Sequence, residues 1–578
     1  MDYYDHMRRL FLSFFLISSL SLQAQTVPAT EPVNPSSALD STLFYQLLLG
    51  ELNARSDDVA AAFSLVLDAA RKTSDPLVYR RAIQIALQAR SGESALIAAK
   101  AWSTAIPTSR EANNFVLQIL LGLNRVNETL EPLKRELLLV PAPEKRAAIW
   151  VLPSLFERTS DKTAGAQTLQ KALAPLLAHA EFGSTSWAVI GRMWQRAGEK
   201  SVALKAASQG LGLNPQDEHP ALVALSLMSE DQPEAENWVK KHLDGNARAE
   251  FRMAYVKALL AQKRDADAQI ELNKLNQLHP DYADAWLVQG ALSLQNKQFN
   301  LAEQQLQHFL ALSQKTAQTP DASRSASKAY LSLAHIANLR KDFQQADSWL
   351  QRIVHADDIL DAQIRRAGLL SRQGQLDQAL TLIQNAPERS VAEASTKRSA
   401  QLQLLREHKQ YKRANALLMQ ALTDAPHDTD LIYEQATLYE KLGDLPEMER
   451  LLRQLIALKP ADQTAYNALG YALADHNLRL PEARALIAKA LELAPGDPFI
   501  IDSLAWVEFR MGQSAQALRL LQGAYAQRPD AEIAAHLGEV LWSLDLKLEA
   551  QKIWREGMQL NPDNETLVQT LKRLGVRL

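Results

Sequence analysis

The sequence predicts an all-α protein, a superhelical solenoid of stacked helix-turn-helix units. Three observations carry that prediction. First, prolines recur near the C-terminus at Pro426, Pro460, Pro495, Pro529 and Pro562, with steps of 34, 35, 34 and 33 residues. A period of this size marks a stacked-repeat architecture. Second, small residues keep fixed offsets from these prolines and from Pro280: Gly290, Gly470 and Ala505 follow by ten residues. Ala302 and Ala517 follow by twelve more, and Ala483 comes one residue late. Helix crossings at close range need such residues, because a bulky side chain holds two backbones apart. Third, hydrophobic content is 47% but aromatic content only 6%. Alanine and leucine dominate, which suits helices. No sustained period-two run of Val, Ile and Thr points to a strand.

In chain order, Met7-Arg8-Arg9 precedes an apolar run, Leu10–Leu22, with Ala24 as a cleavage position. This is the layout of a secretory signal peptide over residues 1–24. The run is short of the ~20 residues that span a bilayer as a helix. The alternative is an uncleaved signal acting as an inner-membrane anchor. Residues 25–38 are proline-rich and polar, and read as a linker. An N-terminal repeat array is expected over 39–312, a polar insertion over 313–328 and a C-terminal array over 329–578.

One column can be followed through both arrays, the small residue that opens the second helix of each unit. It runs from Ala62 and Ala98, past a degenerate position at Pro132, through Ala166, Ala203, Ala235, Ala268 and Ala302. It resumes at Ala346, Ala379, Ala414, Met448, Ala483, Ala517 and Ala550. The single long step, 44 residues from Ala302 to Ala346, holds the polar insertion. That segment is expected as a long inter-repeat loop or an extension of the next helix.

Function classes narrow by exclusion. A net charge of −3 is unlike a general nucleic-acid binder, which carries a basic excess. The chain has no cysteine, which removes thiol catalysis, thiolate metal sites and lipid attachment after a signal. Gly198-Glu199-Lys200-Ser201 lacks the spacing and the strand of a phosphate-binding loop, and reads as an inter-helix turn. His536 and Glu539 lie three apart on one helix, but no second pair supports a metal site. They are expected as surface polar residues. No catalytic constellation, cofactor site or metal site is assigned, and the expected function is non-enzymatic.

The repeat unit resembles the tetratricopeptide repeat, on Trp286…Gly290…Ala302, on Trp187…Gly191…Gly198…Ala203…Pro215 and on Leu504-Ala505…Gly512…Ala517…Ala524…Pro529. The resemblance implies a concave groove lined by the first helix of each unit, helix A, at its second, fifth, ninth, twelfth and thirteenth positions. In the C-terminal units this selects Tyr433, Asn467, Tyr471, Asp502, Trp506, Phe509, Arg510, Glu539 and Trp542 as partner-binding residues. Aromatic rings beside amides and charges suit an extended peptide. Arg510 and Glu539 are expected to be exposed, since unpaired charges are rarely buried. Trp506 and Trp542 have packing between helices as their competing role.

The run from Asp502 to Gly512 and the run from Ala531 to Trp542 further resemble a group of exported proteobacterial tetratricopeptide proteins. That group includes an outer-membrane adaptor lipoprotein that partners a periplasmic carboxyl-terminal processing protease. The resemblance implies a periplasmic scaffold that binds protein partners, including such a protease and its substrates, among them peptidoglycan hydrolases. This chain departs from that adaptor in having no cysteine to lipidate, so membrane contact is expected only through an uncleaved signal. The alternative function is an assembly module of a polysaccharide or envelope export complex.

Overall fold

The computed structural model describes residues 40–578, apart from 57, 230, 231 and 315–318. The expected signal peptide and linker therefore lie outside the described residues. Those described form α-helices joined by short turns, with two short 3-10 segments and no strand. The chain divides into two compact units, 1–316 and 317–578.

Among the described residues the first unit stacks eight helix pairs, from Ser41–Arg55 with Val59–Thr73 to Ala283–Gln295 with Phe299–Ser313. The second stacks seven, from Pro320–Leu339 with Phe343–Leu350 to Ala531–Ser543 with Lys547–Leu560, and closes with a single helix, Glu565–Leu574. Each pair buries its apolar face only against its neighbours, so the core is a continuous seam along each unit.

The turn inside most pairs repeats one backbone device. A residue in the left-handed region ends the first helix: Gly198, Lys263, Lys297, Lys341, Gly374, Lys409, Gly443, Gly512 and Asp545 all have positive φ. Five residues later the column alanine sits fully buried, as at Ala203, Ala268, Ala302, Ala346, Ala379, Ala414, Ala517 and Ala550. Gly198, with φ +87°, is thus a turn residue, as expected. The late Ala483 has a local cause. Its turn holds two left-handed residues, Asn477 and Arg479, and the extra residue pushes the second helix back by one.

This geometry corrects one member of the column. Arg90 is the left-handed residue of the second pair, so the equivalent of Ala62 is Ala95, the fourth residue of Gly92–Ala105. Ala98 lies one turn later. Both are fully buried, which is why apolar pattern alone did not separate them.

The small residues of helix A meet the column at the crossing. A Cβ on Gly470 would stand 3.0 Å from the Ala483 carbonyl oxygen, and one on Gly191 3.1 Å from that of Ala203. Between pairs, proline ends one unit and an aspartate caps the next helix. Asp428, Asp462 and Asp497, two residues after Pro426, Pro460 and Pro495, each accept from the two backbone N–H groups that follow at the helix start. In the polar insertion, the described residues from Pro320 onward are helix, the first turns of a 20-residue element capped by Thr319.

Candidate functional site

The A helices of the last units, Thr429–Leu442, Gln463–Asp475, Pro498–Arg510 and Ala531–Ser543, face one another across the inside of the second array. Contacts between A helices two units apart show that this is the inner side of its curvature. The Tyr471 hydroxyl lies 3.2 Å from His536 Nε2, 65 residues away. Lys441 Nζ pairs with the Glu565 carboxylate at 2.8 Å, 124 residues away.

A cleft of about 260 Å³ opens between these helices. Thr429–Leu442 contributes Tyr433, Thr437 and Glu440, and Gln463–Asp475 contributes Thr464, Asn467 and Tyr471. Phe499, Asp502 and Ser503 come from the third helix and Glu532 from the fourth, with Met448 and Leu452 as apolar floor.

A buried relay holds one wall. Both Asp502 carboxylate oxygens lie within 3.0 Å of His536 Nδ1, so that ring nitrogen carries the proton. The Trp506 indole stacks on the other side of the imidazole, with centroids 4.3 Å apart. Trp506 Nε1 donates to Asp475 Oδ1 at 3.2 Å, and Arg510 donates to the Asp475 carbonyl at 3.2 Å. Although burial pulls the imidazole down, the Asp502 carboxylate, with Glu532 and Glu539, holds His536 above its ordinary value. Its Nε2 lies at hydrogen-bond distance from the Tyr471 hydroxyl.

The cleft keeps two carboxyls without an ion-pair partner among the described residues, Glu440 and Glu532. Burial pushes Glu532 above the usual carboxylate range, and the Asp502, Asp530 and Glu440 charges add to it against His536. Glu440 is raised by burial and by Asp475 and Glu565, with Lys441 opposing. It stands exposed at the mouth, so water screens it more than it does Glu532. Burial also pushes up the Tyr433 and Tyr471 hydroxyls. Asn467 Oδ1 is buried with no hydrogen-bond partner.

The nine expected groove residues divide into three sets. Tyr433, Asn467, Tyr471 and Asp502 line the cleft. Trp506 lies behind it, 3% exposed, with the half-buried Phe509 and Arg510 against its ring. Glu539 and Trp542 turn to the C-terminal side, Trp542 packing on Trp554 at 5.6 Å. Two expectations are corrected. Glu539 is buried, not exposed, because Arg573 pairs with its carboxylate. His536 is 1% exposed rather than a surface residue, because Asp502 supplies the opposite charge its burial requires.

Glu440, Phe499 and Glu532 were missed, although the groove positions name them. Glu440 is twelfth in its helix, and Phe499 and Glu532 are second in theirs. His536 falls outside that pattern, and nothing in the spacing marks it. Among the described residues no group of three or more His, Asp or Glu side chains is arranged to hold a metal ion.

No model of a known protein family matches the chain. A TPR repeat-containing protein of Pseudomonas aeruginosa is 37% identical over 211 residues, 36% of this chain and 36% of that protein. The match thus spans about a third of that relative's length. A solved tetratricopeptide repeat protein from Parabacteroides merdae, 15% identical, covers 43% of this chain and 98% of its own, with TM-score 0.34. A thermophilic TPR protein of Thermus thermophilus, 21% identical, covers 30% of this chain and 96% of its own, with TM-score 0.28. Over those 211 residues the chain is thus similar to a protein that contains TPR repeats, and its own helix pairs recur at about 34 residues.

Proposed function

We propose that the protein is a non-enzymatic scaffold that binds protein partners on the inner face of its C-terminal array. The observation that carries this reading is the cleft between the A helices. Its aromatic rings, amide and carboxyls stand on four rigid helices, the arrangement that fixes an extended chain by its side chains and backbone. In its sharper form the scaffold is an exported, periplasmic adaptor. It presents substrates such as peptidoglycan hydrolases to a carboxyl-terminal processing protease. The Asp502–Gly512 and Ala531–Trp542 runs support that form, and the lack of cysteine makes it an adaptor without a lipid anchor.

Reconstitution tests it. Purified full chain is expected to accelerate cleavage of a peptidoglycan hydrolase by a carboxyl-terminal processing protease and to co-elute with that protease. An unchanged cleavage rate with no co-elution defeats the adaptor form. Capture of glycan synthase subunits from envelope extract in place of a protease would assign the scaffold to a polysaccharide export complex.

A further inference from the structure

The cleft carries more information than its shape. Lys441 is engaged by Glu565 and His536 by Asp502. The cleft's remaining carboxyls, Glu440 and Glu532, are not. Glu532 is half-buried without a counter-charge, which is costly, and a cation brought to it recovers that cost, while the exposed Glu440 adds a water-screened negative charge at the mouth. The buried Asn467 Oδ1 adds an acceptor with no donor, which is a separate demand for an N–H group. Tyr433, Tyr471 and Phe499 supply ring faces that cover an aliphatic stem and favour a cationic head.

We propose that this cleft receives the guanidinium or ammonium group of an arginine or lysine side chain projecting from an extended partner segment. The head lies between Glu440 and Glu532, and the stem runs along the tyrosines. The inference rests on the scaffold reading and names the kind of segment it grips. The facing groups are one-sided in charge. Glu440 comes from the first A helix, Asp475 ends the second, Asp502 lies on the third and Glu532 opens the fourth. Against them stand the engaged Lys441 and His536, His476 near Glu440, and Arg510, whose guanidinium donates to the Asp475 carbonyl. A partner carboxylate would meet this field unfavourably, so the cleft selects against acidic segments as well as for basic ones.

The test uses the full chain and a capped, otherwise uncharged decapeptide with one central arginine, titrated by ligand-observed NMR to millimolar concentration. Twins carry citrulline or glutamate at that position. The arginine peptide is expected to saturate the protein, and both twins to bind about tenfold more weakly or less. The Glu440→Gln/Glu532→Gln double variant is expected to lose arginine binding by a similar factor, with a circular-dichroism melt no lower than that of wild type. A lysine twin is expected to bind comparably. Three results overturn the proposal: citrulline binding equal to arginine, no arginine binding at all, or a double variant that binds as wild type does. Spermidine binding as tightly as the peptide would transfer the cleft to free polyamines and overturn the side-chain assignment. Protease stimulation is scored apart, so an intact scaffold with a failed arginine titration sinks this inference alone.

Discussion

His536 shows how a single residue can be misjudged from its neighbours in sequence. A histidine flanked on its own helix by Glu532 and Glu539 is buried with its partner 34 residues away, and the Asp502 carboxylate raises its pKa against the effect of burial. Its folded-state value is raised, so its contribution to stability is whole below the ordinary value and fades as pH climbs through the raised one. The urea midpoint of the C-terminal array should therefore be higher at about pH 6 than at about pH 8.5. Asp502→Asn should flatten that difference and lower the His536 titration midpoint, read from its ring proton by NMR. Glu532 is the opposite case. A raised carboxyl loses stability as pH rises from the ordinary value through its own, so the charge opposes folding at neutral pH. Glu532→Gln should unfold no earlier than wild type at neutral pH, with a gain of up to about 1 kcal/mol in urea titrations.

At the scale of the helix pair, two kinds of glycine perform opposite tasks. Gly470 sits at a crossing, where an added Cβ would stand 2.5 Å from Ile487 and 3.0 Å from the Ala483 carbonyl oxygen. Gly470→Ala should cost about 1–3 kcal/mol, because neither the backbone nor the buried isoleucine has room to retreat. Gly523 lies on the exposed face of Ser514–Gln527 with nothing near its would-be Cβ. There alanine should add about 0.5–1 kcal/mol from helix propensity alone. Thermal melts of the two variants should move in opposite directions. The contrast follows from the repeat: the same residue type is required at the crossing and tolerated one face away. The period marked the crossing column in the sequence, since close approach admits only small residues. The second pair showed the limit of that mark. Ala95 and Ala98 are both small and both buried, and only the turn at Arg90 tells which is equivalent to Ala62.

At the scale of the whole molecule, nearest-neighbour stacking means that each compact unit carries its own core. A fragment spanning 319–578 should therefore unfold cooperatively in urea with helical circular dichroism before the transition. A fragment that is unstructured in buffer would show that the second unit's seam is not self-sufficient. Cell fractionation with N-terminal sequencing checks the expected export: a mature chain starting after Ala24 in the periplasmic fraction fits a cleaved signal. Retention of the full N-terminus in the inner membrane fits the anchor instead.

By itself, the sequence determined the helix pairs, their period, their crossing residues and the face that forms the groove. All of these are local, set by residues within one unit, and they repeat often enough to be read through noise. Four of the nine groove residues, Tyr433, Asn467, Tyr471 and Asp502, meet in one cleft for that reason. Only the tertiary structure decided what the groove contains. Curvature brings helices two and more units apart into contact, and so Tyr471 reaches His536 and Lys441 reaches Glu565, while Arg573 covers Glu539 from the next unit along. Those long-range pairings settle which charges are neutralised and which, at Glu440 and Glu532, stay open. No spacing along the chain encodes them, because they depend on the small rotation from each pair to the next, summed over several repeats.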